Sequence, residues 1–167
     1  MGNGGAIYNE AGILRIEDSL ISSNTAHDGA GIYSAKGSVW LSASQVLANV
    51  NATDDDVTHG GGIYVDNGSL HLQNNSEVAQ HISADEGGGL YLTENSLFTM
   101  SDSSIHDNQA KVAGGGIYGL MKAASFSRSS INNNKALSDA TSSTDASGPV
   151  EKEAQPEAPD GDGGGIY

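Results

Sequence analysis

GGGIYVDNGSLHLQNNSEVAQH, residues 60–81, contains every pattern on which the fold depends. It opens on a glycine-rich phrase, GGGIY, and closes on a second phrase, SEVAQH, with a short alternating run, SLHLQ, between them. The first phrase recurs as GGAIY (Gly4–Tyr8), GAGIY (Gly29–Tyr33), GGGLY (Gly87–Tyr91), GGGIY (Gly114–Tyr118) and GGGIY (Gly163–Tyr167). The second, Ser-x-Ile/Val-x-x-Asn, recurs as SLISSN (Ser19–Asn24), SQVLAN (Ser44–Asn49), SSIHDN (Ser103–Asn108) and SSINNN (Ser129–Asn134). The six tyrosines lie 25, 31, 27, 27 and 49 residues apart, but each interval divides into a constant and a variable part. From a tyrosine to the next Asn or His the spacing is 16 or 17; from there to the following tyrosine it is 9, 15, 10, 10 and 33. A rigid block with one elastic joint means stacked coils with insertions leaving from one edge.

Between the two phrases, ILRIE (Ile13–Glu17), SVWLS (Ser38–Ser42), SLHLQ (Ser69–Gln73), SLFTM (Ser96–Met100) and ASFSR (Ala124–Arg128) alternate apolar with polar residues. That is the period of a strand. Each repeat offers three short strands, broken at turns such as Asp66-Asn67-Gly68. No helical pattern lies between them, which excludes βαβ units. Three strands per coil, each pairing with its counterpart in the next, predict an all-β fold, a right-handed parallel β-helix of about five coils. Residues 1–136 are expected to form the coils, 137–162 a disordered, acidic, proline-containing loop insertion, and 163–167 the start of a further coil. Both ends are expected to be uncapped, so the chain reads as a fragment of a longer repeat protein.

The phrases also define the columns of such a solenoid. Ile7, Ile32, Ile63, Leu90, Ile117 and Ile166 stack inward, as do Ile21, Val46, Val78, Ile105 and Ile131, with coils about 4.8 Å apart. Asn24, Asn49, His81, Asn108 and Asn134 form a structural ladder at a turn, where stacked amides can hydrogen-bond from coil to coil. The glycine phrase supplies positive φ and close backbone approach as the chain re-enters the first sheet.

Composition narrows the function classes. The chain has 167 residues, 23 glycines, no cysteine and a net charge of −14. Its glycines are clustered, which excludes collagen. Seven Lys and Arg against 21 acids cannot displace counterions from phosphate, so no nucleic-acid partner is expected. Its longest apolar runs fall far short of the about 18 residues of a membrane span, so no direct membrane insertion of this stretch is expected.

The GG[A/G]I phrases alternating with Φ-x-x-Asn phrases resemble the repeats of the chlamydial polymorphic outer membrane proteins, over nearly the whole chain apart from residues 137–162. In that family the second phrase usually carries Phe where this chain has Ile21, Val46, Val78, Ile105 and Ile131. The resemblance implies a surface-exposed passenger domain, exported through an outer membrane and used in adhesion. It thus implies an extracellular or outer-membrane location and a cell-surface receptor or a glycan as partner.

No catalytic constellation is visible, and no enzyme activity is expected. Glycoside hydrolysis needs two carboxylates within about 5 to 9.5 Å. In the column Asp18, Ala43, Asn75, Asp102, Arg128 the acids are three coils apart, about 14 Å at the strand spacing, and Asp102 with Arg128 is expected to form a surface ion pair. The alternative is a carbohydrate-active or glycan-binding β-helix whose catalytic coils lie outside this stretch. Asp54-Asp55-Asp56, Asp85-Glu86 and Asp160-Gly161-Asp162 fall at the elastic edge. Oxygen-rich loops of this kind can bind calcium, but the GGxGxDxUx spacing is absent, so a solvated acidic edge and no cofactor are expected. His27 and His59 fall near one another, two ligands where a metal site needs a third. Tyr33, Tyr64, Tyr91 and Tyr118 are expected to stack outward, as a candidate platform for sugar rings or as simple mutual cover. The sequons at Asn51, Asn67 and Asn74 matter only if the source glycosylates.

Overall fold

The computed structural model describes residues 2–52, 57–82, 85–137 and 165; the acidic runs 54–56 and 160–162, most of the expected insertion, and Ile166 lie outside them. Three five-stranded parallel sheets account for almost all of its regular structure. The first contains Ile7–Asn9, Ile32–Ala35, Ile63–Asp66, Leu90–Leu92 and Ile117–Gly119. The second contains Gly12–Glu17, Gly37–Ser42, Ser69–Gln73, Leu97–Ser101 and Ala123–Ser127, and the third Leu20–Ser22, Gln45–Leu47, Glu77–Ala79, Ser104–His106 and Ser130–Asn132. Each strand pairs with its counterpart one repeat away, Ile7 with Ile32, Ile32 with Ile63, Ile63 with Leu90 and Leu90 with Ile117. The fold is a parallel β-solenoid of about five coils, in keeping with the right-handed crossover rule for parallel strands.

Ile32, Ile63, Leu90 and Ile117 are fully buried, as are Val46, Val78 and Ile105 from the third sheet. The second sheet sends in two columns, Val39-Leu70-Phe98 and Leu41-Leu72-Met100. A solenoid this narrow has no room for a layered core, so each side chain packs on its equivalent above and below. Burying each contributes about 1.5–3 kcal/mol.

A fourth, shorter ladder was not foreseen. Thr25–Ala26 pairs with Val50–Asn51, single bridges continue the ladder through Ile82 to Gln109, and Gln109–Ala110 pairs with Lys135–Ala136. Its two-residue strands are too short to show a period. Beyond it lies the elastic joint, closed by the bridges His59 to Glu86 and Glu86 to Ala113.

The corners are built from left-handed residues. The first glycine of each of the five described phrases has φ between 56° and 70°, at Gly4, Gly29, Gly60, Gly87 and Gly114. The column Asp18, Ala43, Asn75, Asp102, Arg128 turns at φ 46–61°, and the residue before each ladder position, Ser23, Ala48, Gln80, Asp107 and Asn133, at φ 50–61°. The third glycine serves contact instead. A Cβ on Gly62 would sit 2.6 Å from His81 Nε2, on Gly89 3.0 Å from Asn108 Nδ2, and on Gly116 2.8 Å from Asn134 Nδ2. The glycine phrase and the Asn phrase travel together because the backbone of one lies against the side chain of the other. Gly165 keeps this register, its carbonyl accepting from the Ile117 N–H (3.1 Å) as Gly62, Gly89 and Gly116 do from Ile32, Ile63 and Leu90.

Candidate functional site

Beside the glycine phrases the outward residue of the first sheet is always tyrosine, so parallel pairing sets five rings in a row. Tyr8–Tyr33, Tyr33–Tyr64, Tyr64–Tyr91 and Tyr91–Tyr118 have centroids 5.2, 4.7, 5.0 and 5.1 Å apart, with interplanar angles of 1°, 7°, 4° and 20°. Stacking of this kind occupies both faces of Tyr33, Tyr64 and Tyr91. What these rings offer a partner is a line of hydroxyl edges, not the flat faces a sugar ring packs on; Tyr8, at 55% exposure, ends the row. Burial, reinforced by nearby carboxylates, raises the pKa values of the Tyr33 and Tyr91 phenols above their ordinary range, with Asp66 acting on Tyr33 and Glu86 on Tyr91. Tyr64 is raised furthest, by burial first and then by its tyrosine neighbours. These three hydroxyls therefore remain protonated donors at neutral pH.

A second column runs alongside, from the residue before each phrase: Asp28, His59, Glu86. Asp28 Oδ1 accepts the His59 backbone N–H at 2.9 Å and lies 3.1 Å from His59 Nδ1, while its Oδ2 lies 3.2 Å from His27 Nδ1. His59 Nε2 faces Glu86 Oε2 at 3.8 Å, and its ring lies 4.4 Å from that of Tyr91. Burial works to raise the Asp28 carboxyl, but hydrogen bonds involving His59 and His27 outweigh it and hold the pKa below its usual value. The structure thus joins His27 and His59 through a carboxylate that sequence reasoning left out. Among the described residues no group of three or more His, Cys, Asp or Glu is arranged to hold a metal ion. Of the acidic loops weighed for calcium, only Asp85 and Glu86 are described, and Asp85 Oδ2 accepts the Thr58 N–H at 2.8 Å.

On the far side of the fourth ladder's corner the Asn/His column forms a continuous relay. The backbone N–H of Asn24 donates to Asn49 Oδ1 (2.9 Å), that of Asn49 to His81 Nδ1 (3.0 Å), that of His81 to Asn108 Oδ1 (3.1 Å) and that of Asn108 to Asn134 Oδ1 (3.1 Å). Four of the side chains also donate back to an inward residue's carbonyl, Asn49 to Ile21, His81 Nε2 to Val46 (2.8 Å), Asn108 to Val78 and Asn134 to Ile105. His81 replaces an amide here because a neutral imidazole also offers one acceptor and one donor. Burial lowers its pKa to about 4, which keeps Nδ1 free to accept.

The chain matches no family model, curated protein or solved structure, so geometry alone points to its function.

Two open clefts, of about 470 and 440 Å³, run along the corner between the second and third sheets and share Asn75. Asp18, Gln45 and Asn74 line one, and Glu77, Asp102 and Arg128 the other. Arg128 grips Asp102 through Nε (2.6 Å) and Nη2 (2.7 Å). Sequence reasoning missed His106, whose Nε2 lies 2.8 Å from Glu77 Oε1 and Nδ1 2.7 Å from Asp107 Oδ2. It also missed the outer column of the second sheet, where Trp40 stacks on His71 (3.7 Å) beneath Arg15. The signal was there, since Arg15, Trp40 and His71 hold the same place in successive alternating runs. Of the sequons, Asn51 is buried, its Nδ2 donating to the His27 and His59 carbonyls, while Asn67 and Asn74 are exposed.

Proposed function

We propose that this chain belongs to a surface-exposed or secreted β-helix repeat protein that acts by binding, in the manner of an adhesin or autotransporter passenger. One observation carries the reading. The hydroxyl row of the tyrosines and the Asp28-His59-Glu86 column lie side by side at the one joint where repeat length varies. A rigid scaffold that gathers its polar chemistry and its tolerance of insertion along one edge suits recognition, because loops there change without disturbing the coils. The partner this edge fits is a cell-surface receptor or glycan met through hydrogen bonds. The test is binding of the folded chain to cell surfaces, with Asp28→Asn/His59→Ala as the altered edge. The reading expects at least tenfold weaker binding for the variant. Equal binding by both proteins, or none by either, overturns it in favour of another face or of a spacer.

A carbohydrate-active or glycan-binding role is favoured instead by the two polar clefts, which run along the coil axis as an extended sugar chain would lie. A glycan array in which Asn75→Ala and Glu77→Ala abolish the signal and Tyr64→Ala does not would shift the reading to those clefts.

A further inference from the structure

From the stacked tyrosines we infer an oxidative modification site: Tyr33 and Tyr64 are placed to be joined as dityrosine, a covalent staple between adjacent coils. Their rings are the nearest of the row, with centroids 4.7 Å apart and planes 7° from parallel, and both are held by backbone in register, Tyr33 paired with Tyr64 in the first sheet. The parallel ladder repeats the same residue at this position, so five such rings stand in line.

The chemistry balances with a one-electron oxidant as co-reactant, for example a peroxidase intermediate or a photo-oxidised metal complex. Two equivalents take one electron from each phenol, and each hydroxyl proton passes to water at the exposed edge. The two phenoxyl radicals couple at the ring carbons ortho to oxygen, forming one C–C bond. Each coupled carbon then passes its hydrogen to its own ring's oxygen and aromaticity returns. The product has lost two hydrogen atoms in all.

The chain contains no cysteine, so disulfides cannot fasten one coil to the next. A Tyr33–Tyr64 bond supplies that cross-link, closing a loop of about 30 residues in the way that stabilises a chain by restricting its unfolded state. Tyr64–Tyr91, at 5.0 Å and 4°, is the next pair in line.

The whole chain is oxidised with a ruthenium photo-oxidant over a range of protein concentrations, then digested with trypsin and read by dityrosine fluorescence and mass spectrometry. Cleavage after Arg15, Lys36 and Lys111 separates Tyr33, in residues 16–36, from Tyr64 and Tyr91, in residues 37–111, and fragmentation of the joined peptides assigns the bond to one of these two. Expected is a joined pair of these two peptides, lighter by two hydrogens, in monomeric protein and in a yield independent of concentration. Two double variants remove the same number of tyrosines while keeping the rings. Tyr8→Phe/Tyr118→Phe leaves Tyr33, Tyr64 and Tyr91 contiguous and should keep the cross-link. Tyr33→Phe/Tyr91→Phe leaves Tyr8, Tyr64 and Tyr118 two coils apart, about 10 Å, and should lower intramolecular dityrosine among these positions at least tenfold. Equal yields from the two variants would overturn the assignment, as would wild-type cross-links that occur only between molecules or only between non-adjacent tyrosines.

Discussion

Two corners of the same coil are held in different ways. At the Asn/His corner, buried side chains bond to backbone groups of the preceding coil while their own backbone N–H groups donate to side chains of the following one, so Asn49, His81 and Asn108 each join two neighbours. At the Asp28-His59-Glu86 edge the side-chain contacts are partly exposed imidazole–carboxylate pairs, set beside single backbone bridges from His59 to Glu86 and from Glu86 to Ala113. The repeat length is constant across the first corner and variable across the second. A buried backbone group left without a partner is costly, whereas a partly exposed ion pair contributes little. The first corner therefore sets the register of the coils, and the second is free to carry insertions and recognition.

The sharpest way to break this contrast is Gly89→Ala. A methyl there meets the Gly116 carbonyl at 2.6 Å and the Asn108 amide at 3.0 Å, so chemical denaturation should show a loss of more than about 3 kcal/mol. Acid should act through His81. The unfolded ring takes a proton near 6.5 and the folded one only near 4, so between those values the unfolded chain binds more protons. His81's contribution is complete above about pH 6.5, falls as pH is lowered through this window and is lost below about 4, amounting to about 3 kcal/mol. His81→Asn, which keeps an acceptor and a donor, should remove that part of the pH dependence in urea titrations at pH 7 and pH 4. Asn108→Ala removes the acceptor of the His81 N–H and the amide bond to the Val78 carbonyl and should cost about 2 kcal/mol in the same assay. Smallest is Asp28→Asn at the edge, where a change below about 1 kcal/mol is expected.

The path of the chain was legible because stacking identical coils repeats identical constraints. Six glycine phrases and five Asn-type phrases mark the coil starts and the ladder corner, and the alternating runs mark the second sheet. What stayed hidden depends on atoms, not on residue classes. The fourth ladder is made of two-residue strands with no period to detect. A serine column at the next corner, where Ser19 N–H donates to Ser44 Oγ and Ser44 N–H to Ser76 Oγ, looks like ordinary turn serine in the sequence. The bond from Asp28 to His59 spans 31 residues and joins the positions just before two glycine phrases, where residue type does not repeat. That tyrosine faces outward could be read from its place beside an inward isoleucine. That its ring faces are spent on one another required the 4.7–5.2 Å spacing of the structure.

Residue-level hydrogen exchange tests the contrast between the corners most directly. The backbone N–H groups of Asn49, His81 and Asn108, which donate to ladder side chains, should exchange only through global unfolding, with the same free energy as the core strands. The His59 N–H, which donates to Asp28, should exchange by local opening and much faster. If His59 is protected as strongly as Asn49 and Asn108, or if the ladder amides open first, the Asn/His corner is not what locks the coils in register.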